Sequence, residues 1–250
     1  MNTLSLARII RLMGSMLLAV TATSIASGAE IVVTDKGEGG DYVSGAPITL
    51  PAATLSTNLF GEGVKPIKNR LHRVQPAAFD AAGALNPVES ANPGPFPEYL
   101  KNNHYVWFLQ EVRRYTNYSC TITVDCPVTF YLLVDNRVND FTAFSSLDDP
   151  TFGPPDTEWI PGDGWTRVNT GISPRVGGAS RPDYLRIYEG GVGSVSQFYA
   201  IYSRTRPKGG SVTLRTQFEG NMYCAVIATN GTPASAKGQA PKLTQHPAGR

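Results

Sequence analysis

Three groups of residues carry the side chains with which this chain could do chemistry. The first is Asp135-Asn136-Arg137, at the exit of the strand-like stretch Val128–Asp135. A carboxylate, an amide and a guanidinium in a row offer the donors and acceptors that grip vicinal hydroxyls. The plainer reading is an Asp–Arg pair with an Asn turn that ends a strand. The second group is Trp159 and Trp165, at the end of the polar, proline-broken connection Val138–Gly164. An exposed indole presents a flat face to the C–H side of a sugar ring; the plainer reading is two rings pinning that connection to a core. Trp107, inside Tyr105-Val106-Trp107-Phe108-Leu109, reads as core. The third group is the acids Asp148, Asp149, Asp156, Glu158 and Asp163 of the same connection. Calcium takes several such oxygens in flexible geometry, yet the spacing matches neither an EF-hand nor a nonapeptide repeat. A solvated loop is the better reading, and no cofactor is expected.

Nucleophilic catalysis has little to build on. The histidines are His72, His104 and His246, and no G-x-S-x-G, H-E-x-x-H or P-loop is present. No catalytic residue is expected; were a carboxylate pair for glycoside chemistry assembled in space, Asp135 and Glu189 would be the guess. Cys120 and Cys126 stand six residues apart, about 20 Å if extended, too far for a disulfide. A single bridge would join Cys224 to one of them; three small buried apolar residues is an equal reading. The cysteines show no metal-site spacing.

The elements that must position these groups are strands. In Ile122–Arg137 (ITVDCPVTFYLLVDNR) every even-numbered position from Ile122 to Val134 is apolar, while Thr123, Asp125, Pro127, Thr129 and Asp135 are odd. That period of two sets one face of a pleated strand on a core and the other toward water. Asp125-Cys126-Pro127 reads as the turn of a hairpin joining Tyr115–Val124 to Val128–Asp135. Further strands are expected at Ile31–Thr34, Tyr105–Leu109, Trp165–Thr170, Tyr184–Tyr188, Ser194–Ser203, Ser211–Phe218 and Met222–Ala228. Gly177-Gly178, Gly190-Gly191 and Gly209-Gly210 mark turns between them. Between Ala46 and Pro97 eight prolines forbid long helices and suit edge strands and loops; Phe79–Leu85 reads as one helical turn.

These patterns predict an all-β chain, an antiparallel β-sandwich of jelly-roll or Ig-like kind. It is organised as a signal peptide (1–29), one domain (30–229) and a disordered basic tail (230–250). Within the domain, 30–95 holds proline-rich strands and loops and 96–229 the main strand set. The start, with Arg8 and Arg11, an apolar run from Leu12 to Val20 and Ser27-Gly28-Ala29, has the form of a secretory signal cleaved at Ala29–Glu30. Thr21, Thr23 and Ser24 interrupt it well short of the roughly 20 residues of a membrane span. Removing Arg8 and Arg11 leaves 20 basic against 20 acidic residues, and no concentrated basic face suggests nucleic acid as a partner.

Taken together, YLLVDNR, WI–GWT–VNTGI, QFYAIYSR–PKGGSVTL and GNMYCAVIA resemble the strands of small β-sandwich modules of exported bacterial proteins, some attached to polysaccharide-active enzymes. The resemblance spans about 96–229. It implies an extracellular or periplasmic binding protein for a polysaccharide or cell-surface glycan. Trp159 or Trp165 would stack on the sugar, and Asp135, Asn136 and Arg137 would supply hydrogen bonds. The alternatives are a structural cell-surface or matrix protein and a polysaccharide lyase or hydrolase.

Overall fold

A computed structural model describes residues 29–37, 50–81, 85–86, 93–115, 117–138, 149–153, 157–173, 181–188, 197–217, 220–229 and 234–235. The signal-like residues 1–28, Asp148, Asp156, Glu189, the glycine pairs at 177–178 and 190–191, and the tail apart from 234–235 lie outside them. Among the described residues, twelve strands make up almost all regular structure: β1 (Ala29–Lys36), β2 (Ala53–Leu55), β3 (Arg73–Pro76), β4 (His104–Phe108), β5 (Ser119–Val124), β6 (Val128–Asp135), β7 (Thr166–Arg167), β8 (Tyr184–Tyr188), β9 (Gln197–Arg206), β10 (Gly210–Arg215), β11 (Cys224–Thr229) and β12 (Ala234–Ser235). The chain is all-β, as expected. Helix among the described residues amounts to two 3-10 turns and the single turn Trp159–Gly162. None is long and apolar enough to cross a membrane.

The strands form a small sheet, β10-β5-β1-β12, and a large one, β2-β4-β11-β6-β9-β8-β3, with β7 also pairing β9. Every strand pair is antiparallel except β1–β12. Ala234 and Ser235 pair with Ala29 and Glu30. Phe79 and Leu85 form an antiparallel bridge where a helical turn was expected.

The expected hairpin through Asp125-Cys126-Pro127 does not form. β5 pairs β1 and β10 in the small sheet, whereas β6 pairs β11 and β9 in the large one. The partner strands make the same crossing. β9 pairs β6 from Tyr199 to Arg206, and β10 pairs β5 from Gly210 onward. A two-stranded ribbon therefore bends from one sheet into the other, with residues 125–127 lying opposite 207–209. Pro127 and Pro207 have no N–H for a ladder at the bend. Gly209 (φ +80°) makes the close approach possible, since a Cβ there would lie 2.7 Å from the Val124 carbonyl oxygen. Sheet-switching corners of this kind end one ladder and start the next.

The even-numbered pattern survives the bend. Ile122 and Val124 from one sheet, and Val128, Phe130, Leu132 and Val134 from the other, all enter the core between the sheets. The odd face of β6 was expected to meet water and does so only at its start. Leu133 and Asp135 are buried, because the outer face of the large sheet is covered in turn. There Leu133, Tyr199, Ile201, Leu185, Ile187 and Val226 pack beneath Phe60, Phe96 and Leu100. Strands buried on both faces lose the clean alternation that would reveal a single buried side. The cysteines separate accordingly. Cys120 lies in the core between the sheets, Cys224 on the other face of the large sheet and Cys126 at the corner, and all three are free thiols. The bridge from Cys224 is therefore absent.

Candidate functional site

Asp135, Asn136 and Arg137 end β6 inside the molecule. The Asp135 side chain is fully buried and grips Arg137, with Nε 3.0 Å from Oδ1 and Nη2 2.7 Å from Oδ2. Its remaining capacity is taken by backbone: Arg137 N–H donates to Oδ1 (2.9 Å) and Asn221 N–H to Oδ2 (2.7 Å). Asn136 is buried, and its N–H donates to the Phe198 carbonyl. Gly220 (φ +73°) passes so close that a Cβ there would sit 2.9 Å from Asp135 Cβ. Around the turn Gly220-Asn221-Met222, Gln110 bonds both the Gly220 carbonyl and Met222 N–H, and Gln217 bonds the Asn221 carbonyl. Arg113 also donates to the Gly220 carbonyl. These groups are spent on holding the entry to β11 against the exit of β6, which is the plainer reading of the triplet.

The tryptophans are equally interior. Trp159 is 7% exposed and Trp165 5%. The Trp159 indole N–H donates to the Thr216 carbonyl, and its ring meets Tyr223 edge-on at 6.1 Å. Neither indole offers a free face for a sugar, which corrects the expectation of exposed stacking rings. The sequence could not separate the two cases, because the polar residues around both rings are those of a surface loop. Trp107, expected in the core, is half-buried at its margin, packed on the outer-face cluster.

Two of the three described acids of the 138–164 connection are held by cations and a hydroxyl. Asp149 accepts from Arg167 Nε (2.9 Å) and Tyr184 Oη (2.6 Å), and Asp163 pairs Arg215 (2.7 Å). Glu158 is exposed. Among the described residues no three His, Cys, Asp or Glu side chains gather as a metal site. Arg167 lies 4.4 Å from the Tyr184 ring centroid and donates to the carbonyls of Asp183 and Ile201, so it clamps β7 to β8 and β9. Burial, reinforced by the bond to Asp149, pushes the Tyr184 hydroxyl up to about 12.

A different arrangement faces solvent. At the start of β6, beyond the apolar cover, Tyr131 stands half-exposed on the outer face of the large sheet. Its neighbours in register are Val226 on β11 and Ser203 on β9, and Ser203 is paired in turn with exposed Thr166 on β7. The next row holds Ala228, Thr129 and Thr205, the two threonine hydroxyls 3.1 Å apart. Tyr99 lies against Tyr131 with ring centroids 5.0 Å apart and planes at 36°. Its hydroxyl is anchored on the buried Asp183 carboxylate (2.9 Å), which Thr170 also holds. Burial first and Asp183 second raise the Tyr99 hydroxyl well above its usual range, and burial raises that of Tyr131.

The result is an aromatic step bordered by hydroxyl side chains on a rigid sheet. It can offer a ring face to C–H groups and short donors and acceptors to hydroxyls. The alternation in Thr129, Tyr131 and Ser203, Thr205 was the sequence signal for it; the neighbouring positions Tyr99 and Thr166 are brought in only by the fold. Comparison with protein-family models, curated proteins and solved structures finds no match to this chain.

Proposed function

We propose that the chain is an exported binding protein whose large sheet presents the Tyr131–Tyr99 step to carbohydrate. The observation that carries this reading is the half-exposed Tyr131 ring among Thr129, Ser203, Thr205 and Thr166. Aromatic side chains of this kind combine a large apolar face with little conformational freedom to lose, and the strand holds Tyr131 in place before any ligand arrives. The buried Trp159 and Trp165 give way to these tyrosines as stacking rings; Asp135, Asn136 and Arg137 support the strand end from within. Export rests on the basic start, apolar run and small residues of 1–29. The two sheets are read as a sandwich of jelly-roll or Ig-like kind.

A panel of soluble polysaccharides titrated against the exported protein, followed by tyrosine and tryptophan emission and by calorimetry, tests the reading. Tyr131→Ala is expected to weaken glycan binding at least about tenfold, the ~1.4 kcal/mol step that loss of one stacked ring produces, in a protein that still folds, with a midpoint lower by a few degrees through the lost packing on Tyr99. Binding unchanged in Tyr131→Ala, or no response to any glycan, would overturn it.

One observation favours a structural surface protein as the second reading: β10 ends the small sheet with no strand on its far side among the described residues. An open edge is a template for a partner strand. Under that reading the protein self-associates in sedimentation, and Thr213→Lys on the edge strand reduces the association.

A further inference from the structure

β1 contains the bond at which the signal-like start is expected to be cut, and the residue after that bond meets a carboxylate. Pairing of β1 with β5 begins at Ile31↔Val124 and runs to Lys36↔Ser119. No residue before Ile31 takes part in that ladder. Ile31 is 2% exposed and is the first side chain of the strand to anchor in the core after Ala29. Upstream of it, the Glu30 backbone nitrogen lies 2.9 Å from Asp125 Oδ1, at the corner where the ribbon bends between the sheets. An uncut chain makes an ordinary amide-to-carboxylate hydrogen bond there.

We propose that hydrolysis of the Ala29–Glu30 bond creates the mature amino terminus, and that the Glu30 α-ammonium so formed is held on the Asp125 carboxylate. The proposal rests on the export reading above. Water adds across the amide: Ala29 departs with the new carboxylate, and the Glu30 amine takes up a proton to become the ammonium. A neutral N–H donor at 2.9 Å becomes a charged one facing an anion, and charge-assisted bonds are roughly twice as strong as neutral ones. The order of events follows from burial. Once β1 has docked, Ala29 is 1% exposed and paired with Ala234, so the bond is closed to a protease and hydrolysis precedes folding. The cut removes one partner of β12 and leaves Glu30↔Ser235 and the whole β5 ladder in place. Processing thus ties the first strand to the corner that joins the two sheets.

The test begins with the intact mass and amino-terminal sequence of protein recovered from outside the cytoplasm. Glu30 as the first residue is expected. Full-length chain retained inside the cell would overturn both the export reading and the proposal. Exported chain starting anywhere other than Glu30 would overturn the proposal alone. The second arm measures unfolding midpoints of Asp125→Asn in two backgrounds, the exported chain and a chain begun with methionine in place of Ala29. The substitution is expected to lower the midpoint by about 2 °C in the first, the scale of an exposed ion pair in a domain of this size, and by clearly less in the second, whose ammonium sits one residue away. Equal shifts in the two backgrounds would show that the Glu30 ammonium is not on Asp125.

Discussion

Replacing Asp135 by asparagine discriminates between a ligand-binding and a load-supporting role for the end of β6. The wild-type carboxylate accepts four hydrogen bonds, from Arg137 N, Nε and Nη2 and from Asn221 N, at 2.7 to 3.0 Å. Its side chain is wholly shielded and that of Arg137 is only 16% exposed. Asparagine keeps the shape but removes the charge, and its amide group turns a donor toward other donors. Breaking one side of a buried pair costs about 3–5 kcal/mol, because the surviving charge stays desolvated. Total stability of a domain is about 5–15 kcal/mol, so the loss is a large fraction of it. With roughly 2–4 °C of midpoint per kcal/mol at this size, Asp135→Asn should unfold about 10 °C below the parent in calorimetry. Asp135→Asn with Arg137→Gln should lose less than the sum of the two single changes, since the second change removes the stranded charge. A midpoint within about 2 °C of the parent would refute the argument: the pair would then be open in solution and the triplet available to a ligand.

Three further outcomes follow from the same packing. Trp159→Ala should cost about 3–5 kcal/mol in chemical denaturation through lost burial and the orphaned Thr216 carbonyl; a cost below 1 kcal/mol would place the ring outside the core. A chromogenic disulfide reagent should titrate only the half-exposed Cys126 in native protein and all three cysteines after unfolding, and a count of one after unfolding without reductant would reveal a bridge. Tyr184 keeps its proton to about pH 12 when folded but only to about 10 when unfolded. Its contribution is therefore complete below pH 10 and is lost as pH rises toward 12, about 1.4 kcal/mol per unit. Tyr184→Phe should flatten the alkaline fall of stability, and an unchanged slope would contradict the burial and the Asp149 bond that hold its proton.

Strand type, and the side of β5 and β6 that faces the common core, were legible before any coordinates. Alternation is a local property: successive side chains point to opposite faces whatever the strand pairs with. For that reason Tyr184–Tyr188 was placed to the residue, and the even positions of Ile122–Val134, Cys126 at the corner apart, point inward as read. What a strand pairs with is a separate question, decided by residues far away. Val124 meets Gly210 and Ile31, whereas Val128 meets Arg206 and Thr229. A hairpin and a bent ribbon share one alternation pattern, so nothing within 122–137 distinguishes them.

The site residues divide in the same way. Types and spacing singled out Asp135, Asn136, Arg137, Trp159 and Trp165 as capable of chemistry, but whether such groups face water depends on what covers them. The Gly220 turn closes over Asp135, and the helical turn at Trp159–Gly162 folds its ring against Tyr223. Tyr131, unremarkable within an apolar run, is left half-exposed because the cover from Phe60, Phe96 and Leu100 ends before it. Alternation and composition, written along the chain, gave the class of structure. Pairing, coverage and exposure exist only between distant segments, and those were decided by the tertiary structure.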